Sequence, residues 1–430
     1  MSARETALSV LTVYRKHGVW LDEALKRQIE HDGLDRRDAA LVTRLCSSVV
    51  QNRMLLDYWI GLFLHSHAQP VVTDILRLAV CQIMLMDKIP EHAAVNEAVE
   101  QAKRHANPRA GGLVNAVLRN LLRQRQSLHL PEKLSDRYSH PAGLIMLLRE
   151  NVGEELLIPL LECHNQPIPI YLQVNTLRID SASLLEKLTA EGYTAQEHPW
   201  LDDCLLLGGG GIERSEAYRE GLFYVQDPAA QLAVLAADLQ PEQHVLDCCA
   251  APGGKSFAAA IRMKDRGSLL SCDFFAYKVD RIRRGAERLG LKTITALPQD
   301  ATIPREEWRG RFDAVLADVP CSGFGVIRKK PDIRYKELAP LERLPELQLK
   351  ILDTQADYVK PGGVLLYSTC TVLRRENEEV VSAFLERHPE YGTEPFSLPN
   401  DVEAAQGMIT LLPCVHDTDG FFICKLRRHA

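Results

Sequence analysis

No apolar run in this chain of 430 residues reaches the roughly 18 residues that a membrane-spanning helix needs, so no transmembrane segment is expected. Arg4 and Glu5 stand where the apolar core of a secretory signal would have to begin, and the expectation is a chain without a leader. There are eleven cysteines, yet none form Cys-x-x-Cys, and the late pair Cys414 and Cys424 is spaced too widely for a zinc knuckle. No metal is expected. An odd cysteine count at irregular spacing argues for reduced thiols and a cytoplasmic protein. A net charge of −6 argues against indiscriminate nucleic-acid binding.

What is present is a soluble, globular composition, 46 % hydrophobic and 25 % charged, in a chain long enough for two or three domains at roughly 150 residues each. The charge is divided. Residues 1–130 carry 17 Lys and Arg against 13 Asp and Glu, a modest basic excess on an otherwise acidic body that could dock phosphates. Helical periodicity runs through this stretch, with Ala7, Leu11 and Tyr14, then Leu41, Leu45 and Val49, then Val95, Ala98, Val99 and Ala102, then Leu113, Val117 and Leu121. Pro70, Pro90 and Pro108 punctuate it. After a polar connector, Pro141 to about Leu161 is again helical. Strands at Ile170–Asn175 and Cys204–Leu207 flank a helix from Ser181, read as its cap, to Glu191, which makes a small α+β module. Gly208–Gly211 reads as a flexible turn.

From Leu222 the pattern becomes regular. Apolar runs at His244–Cys248, Ser268–Cys272, Thr293–Leu297, Ala314–Ala317 and Val364–Tyr367 alternate with helical stretches, which implies a mostly parallel sheet covered on both faces. Met408–Leu412 and Gly420–Leu426 predict an antiparallel hairpin at one edge. Two of the runs have the same build: Phe312 to Asp318 leads to Cys321, and Gly362 to Ser368 leads to Cys370. Side by side they would bring a carboxylate and two thiols to the sheet edge where open α/β folds bind ligands.

The first run ends in Asp247-Cys-Cys-Ala-Ala-Pro-Gly-Gly-Lys-Ser256, for which three nucleotide-binding readings compete. A P-loop needs Gly where Cys249 stands, and a dinucleotide fingerprint needs G-x-G-x-x-G, which is absent. The third is the S-adenosylmethionine (SAM) loop of doubly wound methyltransferases. Asp273, ending the second strand, could accept from both ribose hydroxyls, and Asp300, after the third, suits the adenine amino group.

Cys249-Ala-Ala-Pro-Gly-Gly-Lys255, Asp318-Val-Pro-Cys-Ser-Gly323 and Ser368-Thr-Cys370 resemble the signature blocks of the RNA cytosine-5 methyltransferases of the NOL1/NOP2/Sun (Fmu) family. Ala94 to Lys103 and Gly112 to Arg119 resemble the last helices of the NusB family of small RNA-binding domains. The resemblance implies a multidomain protein: a NusB-like all-α domain over 1–130, linker helices and the α+β module over 131–221, and a class I SAM-dependent methyltransferase domain over 222–430. It implies methylation of cytosine C5 in small-subunit ribosomal RNA through a cysteine–C6 adduct. Cys370 would be the nucleophile, Asp318 the partner of N3, and Cys321 the group assisting proton removal and release, with Lys255 close by. SAM would be held by Cys249, Ala250, Ala251, Pro252, Gly253, Gly254, Lys255, Asp273, Lys278, Asp300 and Asp318. Arg119, Arg123 and Arg125, near one helix face, and Arg328, Lys329 and Lys330, in an extended loop, would meet RNA phosphates. Gln173 and Ala229 depart from the family's usual Arg and Ser. A monomer is favoured. A transfer RNA substrate, a non-catalytic RNA-binding protein with a vestigial methyltransferase domain, and a P-loop NTPase stay open as alternatives.

Overall fold

The computed structural model describes residues 2–87 and 89–430; Met1 and Lys88, both inside the expected helical domain, lie outside the described residues. The chain forms two compact units. One holds residues up to Glu150 together with Lys330–Lys336, and the other holds Asn151–Lys329 and Glu337–Ala430. The expected 131–221 segment therefore divides between them. No described helix is long and apolar enough to cross a membrane.

The first unit opens with α1 (Ala3–His17), α2 (Leu21–Asp32), α3 (Arg36–Gln51), α4 (Arg53–Gly61), α5 (Pro70–Leu85), α6 (Glu91–His105) and α7 (Pro108–Gln124), and the helix Leu134–Tyr138 and most of Ala142–Val152 follow. Local chemistry sets their ends. Ser2, Asp35 and Asn107 accept backbone N–H groups at the starts of α1, α3 and α7, and Gly18 and Gly33 close α1 and α2 in the left-handed conformation. The periodic residues Ala7, Leu11, Leu45, Val49, Val95, Ala98, Val117 and Leu121 meet in one core.

The second unit contains two main sheets. Strands β1 (Ile170–Val174), β2 (Ala195–Glu197), β3 (Cys204–Leu207) and β4 (Phe223–Val225) form an antiparallel sheet in the order β2-β3-β1-β4. The helix Ser181–Ala190 packs Leu184 and Leu188 against Leu172, Val174 and Leu205. Its cap is Asp180, which accepts from Ser183 N–H, and not Ser181 as expected; the shorter Ser181 hydroxyl donates to Asp202 C=O instead.

The larger sheet comprises β5 (His244–Asp247), β6 (Ser268–Asp273), β7 (Ile294–Pro298), β8 (Phe312–Asp318), β9 (Val359–Thr369), β10 (Tyr391–Thr393), β13 (Met408–Leu411) and β14 (Phe421–Arg428); β11 (Phe396–Leu398) and β12 (Val402–Ala404) pair separately. The order is β10-β14-β9-β8-β5-β6-β7, with β13 on β14. Strands β5 to β9 are parallel. The closing hairpin of β13 and β14 forms, but β14 is interior, antiparallel to β9 on one side and to β10 and β13 on the other. Its near-continuous burial from Phe421 to Leu426 explains why an apolar, non-alternating run belongs inside the sheet. Strand order reverses between β5 and β8, and the carboxyl ends there carry the candidate site.

Candidate active site

Strands β8 and β9 are hydrogen-bonded neighbours in a register that sets Asp318 opposite Ser368. Cys321 lies three residues past that pair and Cys370 two, so the chain brings together two thiols separated by 49 residues; their sulfurs are 3.1 Å apart. Asp318 is held from two sides. Lys255 Nζ lies 2.7 Å from Oδ2, and Ser368 Oγ donates to Oδ1 at 3.0 Å.

The sulfur–sulfur hydrogen bond makes the two thiols unequal. With Cys321 donating, that bond is the largest influence on Cys370 and draws it below the ordinary cysteine range; burial and Asp318 oppose it, and Lys255 assists. The same bond pushes Cys321 well up, with burial, Cys370, Glu376 and Asp318 adding to the effect. Of the pair, Cys370 is the one poised as a thiolate, the reactive form of the group.

A cleft of about 500 Å³, within the ~300–1,000 Å³ range of small-molecule sites, is lined by both thiols, Asp318, Cys249, Ala251, Asp273, Lys278 and Asp300. The loop after β5 is built for close approach. Gly253 sits at φ +114°, where a Cβ would lie 2.5 Å from the Phe257 ring, and a Cβ on Gly254 would lie 2.5 Å from the Gln226 amide nitrogen. Beneath it, burial pushes the Asp247 carboxyl up to about 7, against the lowering effect of the Ser256 hydroxyl bonded to it at 2.7 Å. Asp273 anchors the loop by accepting Ala251 N–H at 3.3 Å and Phe275 N–H at 3.1 Å, and Lys278 stands 3.9 Å away. Asp300 accepts Thr302 N–H and Oγ–H. A carboxylate at the end of β6, a glycine loop and an apolar-walled cleft suit the ribose, amino-acid and sulfonium parts of SAM. Among the described residues no group of three or more His, Cys, Asp or Glu is arranged to hold a metal.

Three family models match consecutive stretches of the chain: NusB over 1–123, the ferredoxin-like domain of RsmF/B-like methyltransferases over 140–211, and 16S rRNA methyltransferase RsmB/F over 234–427. The chain is 36 % identical to the "Probable ribosomal RNA small subunit methyltransferase B" of Bacillus subtilis (strain 168), covering 99 % of each chain. It belongs to the RsmB/F methyltransferase family. The Ribosomal RNA small subunit methyltransferase B of Vibrio cholerae is 34 % identical, over 100 % of this chain and 98 % of that protein. Among solved structures, PH0851 shares the fold, with a TM-score of 0.82 over 100 % of this chain and 99 % of that one at 24 % identity.

Of the residues expected to act in this RsmB/F methyltransferase, Cys249, Ala251, Asp273, Lys278, Asp300, Asp318, Cys321 and Cys370 line one cleft and Lys255 pairs with Asp318 beside it, but the expected RNA contacts do not gather. Arg119 and Arg123 are exposed on α7, with Arg123 bonded to Asn120. Arg125 lies past the helix in a 3₁₀ turn, paired with Glu91 at 2.5 Å, so the three do not share one helix face. Arg328 is buried, 7 % exposed. Lys329 Nζ is held at 2.7 Å by both Asp227 and Asp419, and of this trio only Lys330 is exposed. The loop folds inward where Lys329 meets two carboxylates from distant parts of the chain.

Glu376 is a site residue that no sequence motif marks. Fully buried, it accepts Ser322 N–H at 2.8 Å and the Gln348 amide at 3.0 Å, while Gln348 also donates to Pro320 C=O at 3.0 Å. Ser322 and Thr371 hydroxyls join at 2.7 Å. These bonds fix the Pro320–Ser322 turn against the segment after β9 and so set the spacing of the thiols. Glu376→Ala leaves a buried N–H unpaired, which costs about 1–3 kcal/mol. Thermal denaturation is expected to register that loss, and methyl-transfer assays to give a lower kcat with KM for SAM little changed.

Proposed function

We propose that the chain methylates C5 of a cytosine in small-subunit ribosomal RNA, through a covalent bond between Cys370 and C6. One observation carries the reading: a polarised thiol pair and an Asp318–Lys255 ion pair line or adjoin the same cleft as the loop and carboxylates suited to SAM. The names of the Bacillus and Vibrio relatives support ribosomal RNA as substrate.

Cytosine C5 is too weak a nucleophile to take a methyl group unaided. Attack of the Cys370 thiolate on C6 breaks the C5–C6 π bond and gives C5 enamine character. Electron density builds on N3, where Asp318 acts; its ion pair with Lys255 supplies the proton that N3 takes up. SAM supplies the methyl group as an electrophile. Cys321 still holds the proton it shared with Cys370, and must lose it to water in the open cleft before it can accept the C5 proton. When it does, the C–H electrons restore the C5–C6 double bond and expel Cys370 as thiolate, and the N3 proton returns to the Asp318–Lys255 pair. The target base must leave any stack to reach Cys370.

Incubation with methyl-labelled SAM and small-subunit ribosomal RNA, followed by nucleoside analysis, is expected to place the label in 5-methylcytidine; label in any other nucleoside contradicts the reading. The thiol pair also predicts a pH dependence. Adduct formation rises with pH as Cys370 ionises, and because the Cys321 bond holds Cys370 low, the rise begins below the ordinary thiol range. Replacing Cys321 by Ala removes the donor and moves the limb to higher pH. Single-turnover adduct rates against pH for both proteins check this, and an unmoved limb would show that the bond does not hold the anion.

A further inference from the structure

Cys321 and Cys370 are placed for a second chemistry that methyl transfer does not use. Their sulfurs lie 3.1 Å apart, and a disulfide needs about 2.05 Å, so a shift of about 1 Å shared between two side chains would join them. The backbone already holds them for it. Strand β8 pairs with β9 on one side, and Glu376 and Gln348 clamp the Pro320–Ser322 turn on the other. Both thiols line the open cleft, where a small oxidant can reach them.

Other cysteines lack this arrangement. Cys46, Cys204 and Cys424 are buried, and burial pushes each thiol up, away from the thiolate that reacts with oxidants. The sulfurs of Cys248 and Cys249 are 3.9 Å apart, but adjacent Cα atoms stand only about 3.8 Å apart across a trans peptide, short of the ~4.4–6.8 Å that disulfides span. Cys370, drawn below the ordinary cysteine range by its bond from Cys321, sets the reactive form of the group beside a protonated partner. That is the pairing of an attacking and a resolving thiol.

We propose that Cys321 and Cys370 form a reversible disulfide on exposure to hydrogen peroxide, which switches methyl transfer off and shields the nucleophile from irreversible oxidation. The Cys370 thiolate attacks one peroxide oxygen; the O–O bond breaks, an S–O bond forms and hydroxide leaves, the sulfur having given up two electrons. Cys321 sulfur then attacks that of Cys370. Its proton passes to the departing hydroxyl, which leaves as water, and the S–O bond gives way to S–S. A dithiol returns the two electrons by exchange and restores both thiols. While bonded, Cys370 has no thiolate to offer C6. The loss of turnover rests on the catalytic reading above, whereas the bond rests on the thiol geometry alone.

The test exposes the full chain, without RNA, to hydrogen peroxide and maps its peptides by mass before and after dithiothreitol. A Cys321–Cys370 linked peptide about 2 Da lighter than the two thiol peptides together is expected, with methyl transfer lost in step and regained on reduction. Cys321→Ala lacks the resolving thiol. Peroxide is expected to carry its Cys370 on to the sulfinic acid, about 32 Da heavier, which dithiothreitol does not reverse. Wild-type peptides that stay unlinked overturn the switch, as does a link that joins other cysteines instead. A linked peptide with methyl transfer intact overturns the switch and removes Cys370 from catalysis as well. Absence of methyl transfer by the untreated wild-type chain counts against the catalytic reading, while the linked peptide still decides the bond.

Discussion

Cys321→Ala is expected to hold the protein on its RNA as a covalent adduct, whereas Cys370→Ala forms none. On the proposed mechanism the two thiols, 3.1 Å apart, do different work, because Cys370 is drawn toward the thiolate and Cys321 toward the protonated form. Loss of Cys321 leaves the attacking sulfur in place and removes the group that accepts the C5 proton, so release slows by roughly 10²–10⁴-fold, the usual scale of general acid–base catalysis. Loss of Cys370 removes the nucleophile itself and lowers turnover by roughly 10⁴–10⁶-fold, as with covalent nucleophiles elsewhere. Denaturing electrophoresis of each variant with RNA and SAM separates these outcomes, and an adduct that persists in Cys370→Ala would reverse the assignment.

Asp318→Asn is expected to be nearly as damaging by another route. The Asn can still accept from Ser368, but it cannot neutralise Lys255, whose side chain is 11 % exposed, nor pass a proton to N3. Turnover falls by roughly 10²–10⁴-fold, with SAM affinity within a few-fold of wild type. The stability loss stays well below the ~3–5 kcal/mol of a fully buried broken pair, because the Asp318 side chain is 28 % exposed. Calorimetric SAM titration and steady-state kinetics check both parts, and a turnover within tenfold of wild type would remove Asp318 from the proton path.

The parts of this site that local pattern encodes were legible in the chain. Asp247, Asp273 and Asp318 each end an apolar run, and the matched build of the two runs leading to Cys321 and Cys370 anticipated their meeting, which the pairing of β8 with β9 brings about. Glu376 was not legible. It follows two arginines and precedes Asn377 in a stretch that reads as a polar helix start, and its burial depends on Ser322 and Gln348 arriving from 54 and 28 residues away. The same limit misplaced Arg328 and Lys329. A run of three cations reads as a solvated loop until Asp227 and Asp419, 102 and 90 residues from Lys329, fold against it. Strand β10, three residues from Tyr391 to Thr393 that pair with β14 beside the expected hairpin, was not legible either, because nothing local announces so short a strand.

The identity of the cysteine bonded to RNA tests the central claim most directly. Cys321→Ala, incubated with SAM and the ribosomal RNA fragment, digested with protease and nuclease and mapped by mass, is predicted to yield a Cys370 peptide carrying a methylated cytidine. A nucleotide found on any other cysteine, or full turnover with no adduct, would contradict the account.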